Sequence, residues 1–268
     1  MPAVLGVDAA WSKYHNSGVA LVELCLDRWQ CVRLAPSCEG FVNPQSSGRF
    51  SDVSIKIIDP VLLLRVSSQL LGGDCVQVVA IDMALSRNPI TSRRPADDFI
   101  SREFGKSGCG THSPNPERPG TVSDSVRDGF AREGFALHTG SRDTKPSRSL
   151  IETFPHPALL MLCQSDYRLP YKVAKSRKYW PTAPLVERRE RLKGHMQRIL
   201  DALRRDIDNI PLDLRTAAGD CSFKALKPIE DMLDALVCAW VAIKYLEGCV
   251  KAFGDSSAAI WIPVVAGP

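Results

Sequence analysis

The chain has 268 residues, is 44% hydrophobic and carries a formal net charge of +4. It is long enough to build a sizeable core as one large domain, with two smaller domains as the alternative. Its longest apolar runs are interrupted by charges and are too short to cross a membrane, and its N-terminus lacks the basic region of a signal peptide. Nine cysteines without a C-x-x-C pair favour reduced thiols, so we expect a cytoplasmic protein.

The first part of the chain predicts an antiparallel meander, then a helix and a further strand. Apolar and β-rich stretches indicate strands at 3–11, 17–24, 29–35 and 74–82. Between the third and fourth strands, a helix is predicted because Asp59 can serve as its N-cap and Pro60 suits its first turn. The first and fourth strands both run into an aspartate.

The second part begins with a change of composition to Arg, Ser, Gly and Pro at about residues 86–148, which indicates a polar insertion. Two short helices are predicted within the insertion, the second with Ser123 as its N-cap. Beyond it we expect a strand at 148–154, helices at 156–163, 184–207 and around 230–243, and a strand at 259–265. The buried stripe of the long helix is predicted to comprise Leu185, Leu192, Met196, Ile199, Leu200 and Leu203. Such alternation favours a mixed α/β sheet with helices on its faces.

Four aspartates are candidate site residues. Asp8 and Asp82 end two predicted strands, and sites in open α/β sheets form beyond the carboxyl ends of strands. Asp231 and Asp234 lie one turn apart on an apolar helix, where an unpaired buried carboxylate is costly. Mg²⁺ or Mn²⁺ would compensate such clustered carboxylates and serve phosphodiester hydrolysis. The alternatives are that the strand-end residues are turns or caps, and that the helical pair is a solvated edge or a partner of the helix dipole.

Five segments in order, "GVDAAW", "AIDMAL", "IETFPHPAL", "DMLDALVCAW" and "AIWIP", resemble the family of predicted RNase H-like nucleases known as domain of unknown function 429. The likeness runs nearly end to end, and the D-x-x-D-A-L stretch also resembles the last helix of RuvC-type junction resolvases. The resemblance implies an RNase H-like mixed five-stranded sheet flanked by helices. It also implies one domain over residues 1–268, with the insertion after the fourth strand.

Carried onto this sequence, the resemblance implies catalytic roles for Asp8, Asp82, Glu152 and Asp234. It also implies metal ligation by the aspartates of this set together with Asp231. RNase H proper has a glutamate on its first helix, whereas the predicted first helix here contains no acid. Either Glu152, in "IETFPHP", replaces that glutamate from a different strand, or the site holds only one metal firmly.

Four further residues are candidate substrate contacts. Arg93 and Arg94 lie in the insertion, which suits a lid that closes over phosphates. Lys172 opens a basic stretch with interleaved aromatic residues, a composition that suits single-stranded nucleic acid. His156 either transfers a proton to the leaving group or is a loop histidine bonded to backbone.

These features favour a Mg²⁺- or Mn²⁺-dependent nuclease that hydrolyses phosphodiester bonds in DNA or RNA, with no membrane partner. The alternative is a non-catalytic RNase H-like protein that binds nucleic acid or a nucleotide, which the position of the glutamate and the modest basic charge keep open. A phosphotransferase of the sugar-kinase fold is disfavoured, because no glycine-rich phosphate loop follows Asp8 or Asp82.

Overall fold

The computed structural model describes residues 1–11, 15–44, 58–140, 146–214 and 222–264. Residues 141–145 of the predicted insertion and residue 265 of the predicted last strand lie outside these ranges. The strands are β1 (Ala3–Asp8), β2 (Gly18–Cys25), β3 (Arg28–Ala35), β4 (Val78–Ile81), β5 (Ala136–Leu137), β6 (Ser149–Thr153), β7 (Ile207–Asp208), β8 (Val250–Gly254) and β9 (Ala259–Pro263). The helices are α1 (Cys38–Val42), α2 (Pro60–Leu70), α3 (Pro95–Phe104), α4 (Thr121–Arg132), α5 (Pro155–Leu162), α6 (Ser176–Tyr179), α7 (Leu185–Leu203) and α8 (Phe223–Leu246).

The strands of the described chain form one mixed sheet in the order β7-β3-β2-β1-β4-β6-β9-β8, with β5 also pairing with β6. β1, β2 and β3 are the predicted antiparallel meander, while β4, β6 and β9 continue parallel to β1. The prediction of a mixed α/β sheet flanked by helices is confirmed, but the described ranges contribute nine strands to the sheet rather than five. β5 and β7 are two residues long, which is too short for a period-two pattern to reveal them.

Both faces of the sheet are buried. Successive residues of a strand face opposite sides, and in β1 Val4 contributes to the core beneath α5, α7 and α8 while Leu5 contributes to the core beneath α1, α2 and α4. A third, smaller core joins α3 to β8 and β9 through Ile100, Phe253 and Ile260. Burial on both faces explains why the central strands read as nearly continuous apolar runs.

The helix starts follow the prediction in part. Asp59 caps α2, and its carboxylate accepts a hydrogen bond from the Leu62 amide at 3.1 Å. Ser123 is not an N-cap: α4 begins two residues earlier, and the Ser123 hydroxyl donates to the Gly120 carbonyl at 3.1 Å. Leu185 is 60% exposed because it is the first residue of α7, ahead of the part of that helix that meets the core. None of the helices in the described ranges is both long enough and apolar enough to cross a bilayer.

Two glycines let α8 lie directly on the sheet. A Cβ atom at Gly6 would stand 2.2 Å from the Ala235 carbonyl oxygen, and one at Gly18 would stand 2.2 Å from the Asp231 carbonyl oxygen. Only a residue without a side chain permits such contact between backbones. Since Gly18 pairs with Asp8 across β1 and β2, this packing sets the start of the apolar part of α8 above the end of β1.

Candidate functional site

The structure brings Asp8 and Asp82 together at one edge of the sheet. Val7 and Ile81 are partners in the parallel pair β1–β4, and each aspartate follows one of them directly. The Asp82 amide donates to the Val7 carbonyl at 3.0 Å, so the two chain ends leave the sheet side by side. Both aspartates are only partly buried, and the described residues give neither carboxylate a hydrogen-bond partner.

Helix α8 brings Asp234 and Asp231 to the same place from above. Asp234 is fully buried, and its carboxylate accepts hydrogen bonds from the Tyr171 hydroxyl and the Lys172 ammonium. Asp231 is 5% exposed and accepts a hydrogen bond from Lys227, one turn earlier, at 2.5 Å. Both buried carboxylates are therefore paired with a lysine in this structure.

Glu230 and Tyr171 also belong to this site, although Glu230 was not predicted and Tyr171 was noted only as an aromatic residue of the basic stretch. Glu230 is 3% exposed, lies 3.5 Å from the Lys172 ammonium and accepts a hydrogen bond from the Val173 amide at 2.6 Å. The signal for it was its position four residues before Asp234, which puts both residues on one helix face. Tyr171 had only its place beside Lys172 as a signal.

We define the acidic cluster as Asp8, Asp82, Glu230, Asp231 and Asp234. Burial and like charges raise the pKa values of its four aspartates. Burial and then the charge of Asp234 hold the pKa of Asp8 well above its ordinary value. Burial raises the pKa of Asp82 to about 7, against the opposing effect of Lys172. Burial alone would lower the pKa of Lys172, but Asp234 and its neighbours raise it well above the ordinary value. Among the described residues, the carboxylates of the cluster therefore outnumber the ammonium groups that neutralise them.

The donor set suits a hard divalent cation in its chemistry, but the side chains are not arranged around a common metal position in this structure. All of the groups in the acidic cluster are oxygen donors, which Mg²⁺ and Mn²⁺ prefer. Among the described residues, only Lys172 and Lys227 form ion pairs with the cluster, through Glu230, Asp231 and Asp234. Within the described ranges, however, no three His, Cys, Asp or Glu side chains are grouped so as to hold a metal ion. Two of the four predicted metal ligands, Asp231 and Asp234, are each paired with a lysine instead.

The carboxylate of Glu152 binds a buried arginine and a backbone amide. Glu152 is 3% exposed, its two carboxylate oxygens accept hydrogen bonds from Arg94 at 2.6 and 2.7 Å, and it also accepts one from the Leu85 amide at 2.7 Å. It neighbours the acidic cluster, because it pairs with Ile81 across β4 and β6. With its oxygens used in this way, the arrangement favours an anchoring role for Glu152 over that of a replacement metal ligand.

The two arginines of the insertion are also engaged by the protein. Arg94 is 6% exposed and binds Asp97 at 2.9 Å in addition to Glu152. Arg93 donates to the Asp98 carboxylate at 2.6 Å and to the Ser101 hydroxyl at 2.7 Å. The guanidinium group of Arg94 connects α3 to the sheet, and that of Arg93 connects α3 to the loop that follows it. The prediction of a phosphate-binding lid did not include these contacts.

His156 lies in the first turn of α5 and is 7% exposed. Its Nε2 contacts an amino group of Arg168, and its ring packs edge-on against Phe154 and Tyr171. Burial, followed by the charges of Lys172 and Arg168, lowers its pKa well below the ordinary value. The imidazole is therefore neutral near pH 7, which disfavours proton donation to a leaving group.

The fold and the site define an α/β protein with a buried acidic cluster between two parallel strands and the last helix. The chain belongs to the family described as Protein of unknown function (DUF429), whose model matches residues 61–259. The matched range contains Asp82, Glu152 and Asp234 and begins after Asp8. No curated protein and no solved structure matches the chain.

Proposed function

We propose that the protein is a Mg²⁺- or Mn²⁺-dependent nuclease that hydrolyses phosphodiester bonds in nucleic acid. The observation that carries the proposal is the convergence of Asp8, Asp82 and Asp234 from two adjacent parallel strands and one helix. Carboxylates held this close repel one another, so the free energy of the cluster falls when a cation joins it. Perturbed carboxylates gathered at the ends of strands are typical of functional sites.

The sheet supports the RNase H-like part of the proposal. Five contiguous strands, in the order β3-β2-β1-β4-β6, join an antiparallel meander to two parallel strands. The first of these in chain order ends at Asp8 and the fourth ends directly before Asp82, in keeping with the resemblance. On this interpretation β5, β7, β8 and β9 are additions to the edges of that sheet.

Asp8, Asp82 and Asp234 are the residues that would hold the cation, with Asp231 beside them. When bound, such an ion neutralises phosphate charge and activates water for attack on phosphorus. Without a cation, Lys172 neutralises the charge of Asp234. Its flexible four-carbon stem allows the ammonium group to move to a substrate phosphate. Tyr171 keeps the Asp234 carboxylate in place through its hydroxyl.

The second candidate is a non-catalytic RNase H-like protein that binds nucleic acid or a nucleotide. Its support is the same ion pair between Lys172 and Asp234, because a carboxylate already neutralised by a buried lysine has less need of a metal ion. In that protein Lys172 would be a permanent structural partner, and phosphate would bind without being cleaved.

Cleavage separates the two candidates. Wild-type protein, Asp8→Asn and the control Asp27→Asn would be incubated with Mn²⁺ and a panel of single-stranded, duplex and junction DNA and RNA. Asp27 is exposed in the turn between β2 and β3, so its substitution matches the chemical change without touching the site. We expect wild type and the control to cleave at least one substrate and Asp8→Asn to be at least about a hundredfold slower.

Equal cleavage by Asp8→Asn and wild type would overturn the proposal that the acidic cluster is a nuclease site, since the activity would then arise elsewhere. Binding of a panel member without cleavage by any of the three proteins would favour the non-catalytic candidate. Circular dichroism of each variant checks that the fold is retained.

A further inference from the structure

A group of cations next to the acidic cluster has no acidic partner. We define the cationic cluster as Arg168 and Lys175, with the imidazole of His112 beside them. None of its members forms an ion pair with an acidic residue in the ranges that the structure describes. The three are close enough to act on one another: burial, then Arg168 and Lys172, lower the pKa of Lys175, and burial, then Lys175, Arg118 and Arg168, lower that of His112. A protein that leaves mutually repelling cations together has a use for negative charge at that place.

Among the described residues, two buried atoms of the contacting pair His156 and Arg168 lack hydrogen-bond partners. Nδ1 of His156 and Nε of Arg168 are buried and meet no partner within the described part of the chain. Nε2 of His156 faces an amino group of Arg168, and because a guanidinium group only donates, that nitrogen must accept. In the neutral imidazole Nδ1 then carries the proton, so both unpartnered atoms are donors.

Unsatisfied buried donors are rare and costly, and they call for an explanation by an ion, a water or a ligand. A ligand that reaches Nε of Arg168 must offer oxygen lone pairs, and the neighbouring cations favour an anion. Arg168 differs in this respect from Arg94, whose guanidinium is neutralised by two carboxylates. The backbone amide of Arg168 donates to the Ser107 carbonyl at 2.9 Å, and its guanidinium group donates to the Gly108 carbonyl at 3.5 Å.

We propose that Arg168 and Lys175, together with His156, form a phosphate-binding site beside the acidic cluster. Its ligand is a phosphate group of the nucleic acid or nucleotide whose neighbouring phosphodiester reaches the carboxylates, and in naming that ligand the inference rests on the proposed function. Lys172 links the two sites, because its ammonium group pairs with Asp234 and the ring of the adjacent Tyr171 packs against His156. The guanidinium group supplies a planar fork that matches phosphate oxygens, and the lysine adds a mobile point charge.

The test is a calorimetric titration of inorganic phosphate, and then of a short single-stranded oligonucleotide, into metal-free protein in EDTA. Wild type would be compared with Arg168→Gln, Lys175→Gln and the control Arg177→Gln, which removes an exposed arginine of α6. Since Lys175 makes no hydrogen bond through its side chain within the described ranges, its variant remains informative even if Arg168→Gln folds poorly. We expect phosphate affinity to fall at least about tenfold in Arg168→Gln and about threefold or more in Lys175→Gln, and to be unchanged in the control.

A histidine-selective ¹H–¹⁵N spectrum provides a second readout. We expect His156 to be the neutral tautomer protonated at Nδ1, and phosphate to shift that resonance in wild type and not in Arg168→Gln. Affinities equal in Lys175→Gln and the control, or no binding of millimolar phosphate by wild type, would overturn the site.

The metal-free buffer keeps this outcome separate from the nuclease proposal. Phosphate binding that depends on Arg168 and Lys175 supports the anion site even if no substrate is cleaved with Mn²⁺. Cleavage with Mn²⁺ in the absence of such binding would leave the nuclease proposal standing and would overturn the anion site.

Discussion

Substitution of Glu152 should destabilise the protein through Arg94. Both side chains are buried, with 3% and 6% of their surface exposed, and two contacts of 2.6 and 2.7 Å join them. Removing one partner of a buried ion pair costs about 3–5 kcal/mol, because the other charge is left uncompensated. Asp97 remains 2.9 Å from Arg94, so we expect Glu152→Gln to lie at the lower end, at about 3 kcal/mol. For a chain of this size that corresponds to a fall in Tm of about 6–12 °C.

Thermal and urea unfolding measure this cost, with two controls. Glu187→Gln removes an exposed carboxylate that pairs with Arg191 on α7 and should change stability by less than about 0.5 kcal/mol. The double variant Arg94→Met/Glu152→Met leaves no buried charge, so it should be more stable than Glu152→Gln. If Glu152→Gln kept the wild-type Tm but lost Mn²⁺ binding, Glu152 would be a metal ligand and not a stabilising partner of Arg94.

Three further predictions concern the packing of α8 on the sheet, the ion pair between Lys172 and Asp234, and the pKa of Asp82. Gly6→Ala should cost more than about 3 kcal/mol in urea unfolding, because α8 backbone stands 2.2 Å from its Cβ position. Gly194→Ala, which meets nothing within 4 Å, should instead gain up to about 1 kcal/mol; equal effects would contradict the close packing of α8. Lys172→Met leaves Asp234 without its ammonium partner, so its Tm should fall and Mn²⁺ should raise it more than in wild type; an equal rise would show that Lys172 does not compete with a cation. Asp82 has a folded pKa of about 7 against 3.8 for the free group, so the stability it contributes is present below pH 4 and is lost as pH rises to 7. Asp82→Asn should therefore be more stable than wild type at pH 8 and not at pH 4, and a difference independent of pH would show that the pKa is not raised.

Much of the fold could be predicted because its signals are local. The apolar runs that form β1 and β4, and the Asp59 and Pro60 start of α2, are legible from a few neighbouring residues. Strands as short as β5 and β7 carry no such pattern, since they exist only through their partners β6 and β3.

The site divides in the same way. Asp8, Asp82 and Asp234 were predictable because strand ends and helix periodicity determine where they lie. Their partners were not, because Lys172 is 62 residues from Asp234 in the chain, and pairing over such separations is decided by tertiary packing. The same holds for Glu152, whose partner Arg94 is 58 residues away.

Binding of Mn²⁺ at pH 8 tests directly whether the acidic cluster holds a cation. Titration of wild type, Asp8→Asn and Asp27→Asn, followed by calorimetry or by the electron paramagnetic resonance signal of free Mn²⁺, compares two identical chemical changes at different places. The account predicts that wild type and Asp27→Asn bind at least one ion, and that Asp8→Asn, which has no hydrogen-bonded partner to lose in the described structure, folds normally and binds at least about tenfold more weakly. Equal binding by all three proteins, or none by wild type, would contradict a cation site in the acidic cluster.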